Sequence, residues 1–138
     1  MKIGNLEIKL FYSNLAVREI NELCGGVAKI SNLFEDENGN HVPYEVEISN
    51  IIKLILILAN ANITKENCEK RLGIADGEEK PKFTYEELEQ MIDIGRLGEY
   101  TQEIMSAMGL ASKFEVPDGL KITEQDIDLD EIEAEKNP

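Results

Sequence analysis

Residues 45–61 read EVEISNIIKLILILANA and contain the longest apolar run of the chain. On a helix, one stripe of this stretch is apolar and further apolar residues cover much of the other side. A buried strand is the alternative, because isoleucine favours strands and residues 54–58 are all Ile or Leu. The length of about 16 residues favours a helix. We therefore predict a helix buried nearly all round, formed by Ile48, Ile51, Ile52, Leu54, Ile55, Ile57, Leu58 and Ala61.

This apolar run is shorter than a membrane-spanning helix. A span needs about 20 residues with few charges, whereas Lys53 and Asn60 interrupt this run. We therefore expect no membrane association. A helix that is apolar all round would serve a dimer or a helical stack as well as the core of one chain, so a homo-oligomer is an open alternative.

Upstream, the pattern predicts a small β element and a helix. Apolar and charged residues alternate over positions 6–10, as in a half-buried strand. Gly4-Asn5 would turn a short hairpin with the preceding residues. Ser13 or Asn14 is placed to cap a helix of about three turns, which Gly25-Gly26 would end. Residues 27–34 predict a further short helix.

Downstream, the helix predictions rest on capping signals. Thr64 would cap a short helix that ends at Gly73, before a charged loop over residues 75–82. Thr84 and Glu87 form a capping box, in which each side chain satisfies a free backbone N–H at the start of a helix. Glycines mark a break before the last helix, whose apolar stripe is Leu97, Tyr100, Ile104, Ala107, Met108 and Ala111.

The charge is strongly negative and unevenly spread. The 138 residues suffice for one domain and carry a net charge of −14. Residues 115–138 hold nine acidic residues against Lys121 and Lys136, a net charge of −7, with too little apolar content to fold alone. We predict a mainly α fold: a single small helical domain over residues 1–114 with a short N-terminal β-hairpin or strand, and a flexible acidic C-terminal tail over residues 115–138.

This charge bears on the partners and the compartment. It argues against general affinity for nucleic-acid backbones or anionic lipids, so protein partners with basic or apolar patches are expected. No basic segment followed by an apolar one opens the chain. Cys24 and Cys68 lie 44 residues apart without a CxxC spacing. We therefore predict a cytoplasmic protein with reduced, buried thiols.

Patterns that predict catalysis or metal binding are missing from the sequence. His41 is the only histidine and lies in a polar loop, without other ligands at a suitable spacing. Acidic residues from Asp126 onward resemble a calcium loop, but Glu131 and Asn137 stand where glycine and glutamate are required. Neither cysteine and none of the serines lies in a nucleophile motif. We expect a protein that is not an enzyme and uses no cofactor or metal.

Four segments are the basis of a family resemblance: residues 15–23 (LAVREINEL), the apolar helix over 48–61, residues 84–97 (TYEELEQMIDIGRL) and residues 103–109 (EIMSAMG). Their order after an opening strand resembles the tail assembly chaperones of long-tailed bacteriophages and prophages, over roughly residues 1–112. The resemblance implies a non-enzymatic protein that binds the tape-measure protein, keeps that long helical chain soluble and helps tail-tube subunits gather around it. It also implies the host bacterial cytoplasm as location, and absence from the mature virion.

Candidate client-binding residues are apolar side chains that a chaperone would expose. In the domain these are Leu54, Ile57, Met91, Met105 and Met108, where methionine adapts to varied surfaces. In the tail they are Ile122, Ile127, Leu129 and Ile132, in an acidic-hydrophobic docking segment. The alternative is that the domain residues form the core and the tail is a solvated terminus.

Two other functional classes are open at this point. An acidic DNA mimic or regulator would bind the basic face of a nucleic-acid-binding protein, and it needs carboxylates arrayed on a rigid surface. Half of the net charge lies instead in the tail that we predict to be flexible. A small enzyme would need a convergent pocket of polar side chains, for which the sequence gives no reason.

Overall fold

A computed structural model describes residues 1–110 as a mainly helical fold with a small N-terminal hairpin. The predicted mainly α class is confirmed. In chain order, the elements are β1 (Lys2–Ile3), β2 (Leu6–Glu7), α1 (Asn14–Cys24), a 3-10 segment (Val27–Leu33), α2 (Tyr44–Arg71), α3 (Tyr85–Met91), a 3-10 turn (Ile94–Arg96) and α4 (Leu97–Ala107).

Helix α2 is the centre of the fold, and α1, α3 and α4 all pack against it. The helix formed by the apolar run of the sequence is therefore confirmed, and the strand alternative is wrong. Because three helices pack against α2, its apolar residues are buried on several sides. Its buried residues are Ile51, Ile52, Leu54, Ile55, Leu58, Ala59, Ala61 and Ile63.

The length of α2 differs from our prediction. A single helix of 28 residues replaces the two predicted helices, and Thr64 lies inside it instead of capping a second one. The segment between Ala61 and Lys70 contains neither Gly nor Pro, so nothing in it breaks the backbone hydrogen bonds. The predicted end is confirmed: Gly73 follows the helix with φ +79°, a left-handed conformation that favours glycine.

Helix α1 begins and ends where its capping residues predict. The Ser13 hydroxyl accepts a hydrogen bond from the Ala16 N–H at 3.1 Å. At the other end Gly25 adopts φ +90° and donates its N–H to the Asn21 carbonyl at 2.7 Å. Ala16 and Ile20 are the buried residues of this helix.

The hairpin is short but connected to distant parts of the fold. Strands β1 and β2 pair antiparallel, with Lys2 opposite Glu7 and Ile3 opposite Leu6. The Met1 ammonium group lies 3.1 Å from a Glu7 carboxylate oxygen and 3.4 Å from one of Glu103 on α4. The predicted hairpin is therefore confirmed, and an ion pair connects it to α4.

The capping box of α3 is confirmed. The Thr84 hydroxyl accepts from the Glu87 N–H at 3.1 Å, and the Glu87 carboxylate accepts from the Thr84 N–H at 2.9 Å. The predicted break before the last helix is the 3-10 turn. The buried Tyr100 of α4 fixes this turn, because its hydroxyl accepts from the Asp93 N–H at 3.1 Å.

Helix α2 is long and apolar enough to cross a bilayer by length and composition alone. Half of an 18-residue apolar window of this helix is buried inside the structure. The core helix of a soluble protein meets the same criterion. The helix is longer than the apolar run, since it continues to Arg71, and the expectation of no membrane association stays a prediction.

The predicted acidic tail lies outside the described residues, so the domain boundary stays a prediction. We expect deletion of residues 115–138 to change the thermal unfolding midpoint of the remaining chain by less than about 2 °C, because a segment with few apolar residues contributes little to stability. Circular dichroism melts of the full chain and of residues 1–114 check this. A loss of ten degrees or more would mean that the tail packs on the domain.

Candidate functional site

Three of the predicted client-binding residues are buried. Leu54 has no exposed surface, and Met105 and Met108 are 2% and 5% exposed. The expectation that they form an exposed apolar face is wrong, because α2 and α4 pack against each other. Ile57 and Met91 are half-buried, and their role in client binding stays a prediction.

Four further predicted residues, Ile122, Ile127, Leu129 and Ile132, lie outside the described residues. The thiols also differ from expectation, since Cys68 is exposed and Cys24 is half-buried. Only the Cys24 thiol has a backbone partner on its own helix, the Ile20 carbonyl at 3.2 Å. The prediction of two buried thiols is therefore wrong, since Cys68 is exposed and Cys24 is only half-buried.

The large apolar side chains that face solvent lie mainly at the two ends of α2. Leu72 and Ile74, directly after the helix, are 70% and 73% exposed, and Tyr44 and Val46 in its first turn are 54% and 39% exposed. We call residues 72–74 the exposed tip. This exposed tip was not identified from the sequence. A usable signal was present: one aliphatic residue lies on each side of a helix-ending glycine, next to a charged loop.

The C-terminal half of α2 also carries two asparagines that bind the chain returning from the exposed tip. The Asn60 side chain accepts from the Phe83 N–H at 2.8 Å and donates to the Phe83 carbonyl at 3.0 Å. Asn67 does the same for the N–H and the carbonyl of Lys80, both at 2.8 Å. We call Asn60 and Asn67 the asparagine clamp, and residues 78–83 the strap.

The spacing of the clamp matches an extended chain. Asn60 and Asn67 are seven residues apart, so they share one helix face about 10.5 Å apart along the axis. The two clamped residues, Lys80 and Phe83, are three residues apart, which is about 10 Å in an extended backbone. The two asparagines are therefore spaced so that they bind Lys80 and Phe83 of one extended chain at the same time.

Charged side chains at the C-terminal end of α2 also bind the strap. The Lys70 ammonium group donates to the Glu78 carbonyl at 2.8 Å, and the Arg71 guanidinium group lies 3.3 Å from a Glu79 carboxylate oxygen. Apart from the half-buried Phe83, every strap residue is exposed. Polar contacts to the main chain, rather than packing, are therefore the main interactions of residues 78–82.

The asparagine clamp predicts a measurable stability effect. We expect Asn60→Ala to lower the free energy of unfolding by about 1–3 kcal/mol, because it leaves a partly buried N–H and carbonyl without a partner. Urea denaturation measures this difference. Asn62→Ala on the same helix is the matched control, with an expected change within about 0.5 kcal/mol. Equal effects of the two substitutions would show that the clamp contributes nothing.

Comparisons with known proteins give no relative of this chain. No protein-family model matches it, and neither the curated proteins nor the solved structures contain a significant match. Within residues 1–110, no three His, Cys, Asp or Glu side chains are close enough together to hold a metal ion. His41 is exposed in its loop, and its imidazole lies 3.6 Å from a Glu47 carboxylate oxygen.

Proposed function

We propose that this protein is a tail assembly chaperone of a long-tailed phage or prophage. It binds the tape-measure protein in the host cytoplasm, keeps it soluble and helps to recruit tail-tube subunits, without catalysis or a cofactor. The family resemblance of the sequence supports this proposal. The structural observation that supports it best is the exposed tip, where Leu72 and Ile74 stand in solvent at the end of the central helix.

The exposed tip is suited to an apolar client surface. A tape-measure chain is a long helix with apolar stripes, and a chaperone covers such stripes with apolar groups of its own. Burying the exposed parts of Leu72 and Ile74 would stabilise a complex by about 2–4 kcal/mol. Through this contact alone one copy would bind with a dissociation constant no tighter than about 1 mM.

Weak binding by each copy of the chaperone is compatible with a very long client. Many copies bound along one chain hold it together by avidity, while each copy can leave when tail-tube subunits arrive. The net charge of −14 keeps loaded complexes apart by repulsion. A weak apolar contact combined with strong negative charge therefore favours a soluble, reversible complex.

The proposal is tested by a pull-down from cells that make both proteins. A tagged copy of this chain is co-expressed with the tape-measure product of the same genome, and the bound fraction is analysed at 0.15 M and about 0.5 M salt, where charge contacts are screened. We expect the tape-measure product to be retained at both salt concentrations, as an apolar contact requires. Retention of a basic nucleic-acid-binding protein, lost at high salt, would instead support an acidic DNA mimic.

A further inference from the structure

The strap is bound to α2 mainly through its backbone. The hydrogen bonds of both clamp residues to the strap go to the N–H and carbonyl groups of Lys80 and Phe83, and Lys70 donates to the carbonyl of Glu78. The side chains of Pro81 and Lys82, between the two clamped positions, are exposed. A site that contacts main-chain groups accepts other sequences of the same backbone conformation, as in strand addition to a sheet edge.

The chain has enough slack for the strap to leave α2 while α3 stays packed. Phe83 lies beside Asn60, about 17 Å along the axis from the end of the helix at Arg71. The twelve residues from 72 to 83 can reach about 40 Å when extended. Gly73 and Gly77, with φ +79° and +105°, lie in the segment that leads to the strap and supply the backbone freedom for such a movement.

The contacts of the strap also define the chemistry of a competing segment. Glu79, one residue before the first clamped position, pairs with Arg71. Phe83 at the second clamped position is the only half-buried strap residue, the others being exposed. A fitting partner is therefore an extended segment with an acidic residue, then three residues of which the first is not proline, then an apolar residue.

We propose that Asn60 and Asn67 form a binding site for an extended polypeptide segment of a partner protein, which the strap occupies in the free chain. The partner segment has the acidic and apolar residues described above and displaces the strap. This site is separate from the exposed tip, so it does not depend on the proposed chaperone function. While the strap is in place, it competes as an intramolecular ligand at an effective concentration of the order of 1 mM.

A peptide with the strap sequence tests this inference. The probe is fluorescein-labelled GEEKPKFTY, residues 77–85, and its binding to the full chain is followed by fluorescence anisotropy. Lys80→Pro removes the strap N–H that donates a hydrogen bond to the Asn67 side chain, and it leaves both clamp asparagines in place. We expect this variant to bind the probe at least ten times more tightly than the unmodified chain, because its own strap competes less well.

Two controls distinguish binding at the clamp from non-specific binding of the probe. Adding Asn60→Ala and Asn67→Ala to the Lys80→Pro variant is expected to abolish probe binding, whereas adding Asn62→Ala leaves it unchanged. Phe83→Ala is a second way to loosen the strap if Lys80→Pro does not fold, as judged by circular dichroism. Probe binding that is absent from both loosened variants, or that survives loss of both clamp asparagines, would overturn the proposal.

Discussion

Replacing Leu54 by alanine is expected to lower the free energy of unfolding by about 2–5 kcal/mol. The side chain has no exposed surface and lies in α2, which is packed by three helices. Removing its three outer carbon atoms leaves a cavity that rigid neighbours on several sides cannot fill. Urea denaturation followed by circular dichroism measures the change.

The matched control for Leu54 is Ile57, one turn later on the same helix. Ile57 is half-buried, so Ile57→Ala removes fewer packing contacts and we expect a smaller loss, about half as large or less. Both residues are candidates for client binding from the sequence. Equal and small losses at the two positions would mean that the α2 core is packed differently from the structure described above.

Replacing both Leu72 and Ile74 by serine is expected to reduce the amount of co-purified tape-measure protein at least tenfold. The two side chains account for about 2–4 kcal/mol of the proposed contact, and each 1.4 kcal/mol corresponds to a factor of ten. The stability of the chain is expected to change by less than about 0.5 kcal/mol, because both side chains are largely in solvent. A pull-down and a urea melt of the same preparation measure the two quantities.

The opposite end of α2 supplies the control for this prediction. Tyr44 and Val46 are also exposed apolar residues, and replacing both by serine removes exposed apolar surface without touching the exposed tip. We expect client retention close to that of the unmodified chain. Equal losses from the two double substitutions would mean that exposed apolar area in general, and not the tip, retains the client.

Local signals in the sequence were sufficient for most helix boundaries. The Ser13 cap, the glycine end of α1 and the Thr84–Glu87 capping box each depend on residues within four positions of one another. Such interactions form within about one helical turn, so the caps can be recognised in the sequence without knowledge of the rest of the fold. The apolar period of α2 also predicts six of its buried residues, Ile51, Ile52, Leu54, Ile55, Leu58 and Ala61, whereas the predicted Ile48 and Ile57 are only half-buried.

Long-range contacts explain what the sequence did not reveal. Thr64 has the same side chain whether it caps a helix or lies inside one, and the chain around it decides between the two. The seven-residue spacing of Asn60 and Asn67 is visible in the sequence, but their partners are 23 and 13 residues away. The apolar pattern around α4 likewise does not reveal that Met105 and Met108 are buried.

The most direct test of the proposed function is the soluble fraction of the tape-measure protein in co-expressing cells. Lysates are centrifuged, and the tape-measure protein in supernatant and pellet is compared for cells with this chain, cells without it, and cells with the Leu72→Ser, Ile74→Ser variant. We predict a mainly soluble tape-measure protein with the unmodified chain and a mainly pelleted one in the other two cases. A tape-measure protein that pellets equally in all three would contradict the chaperone function.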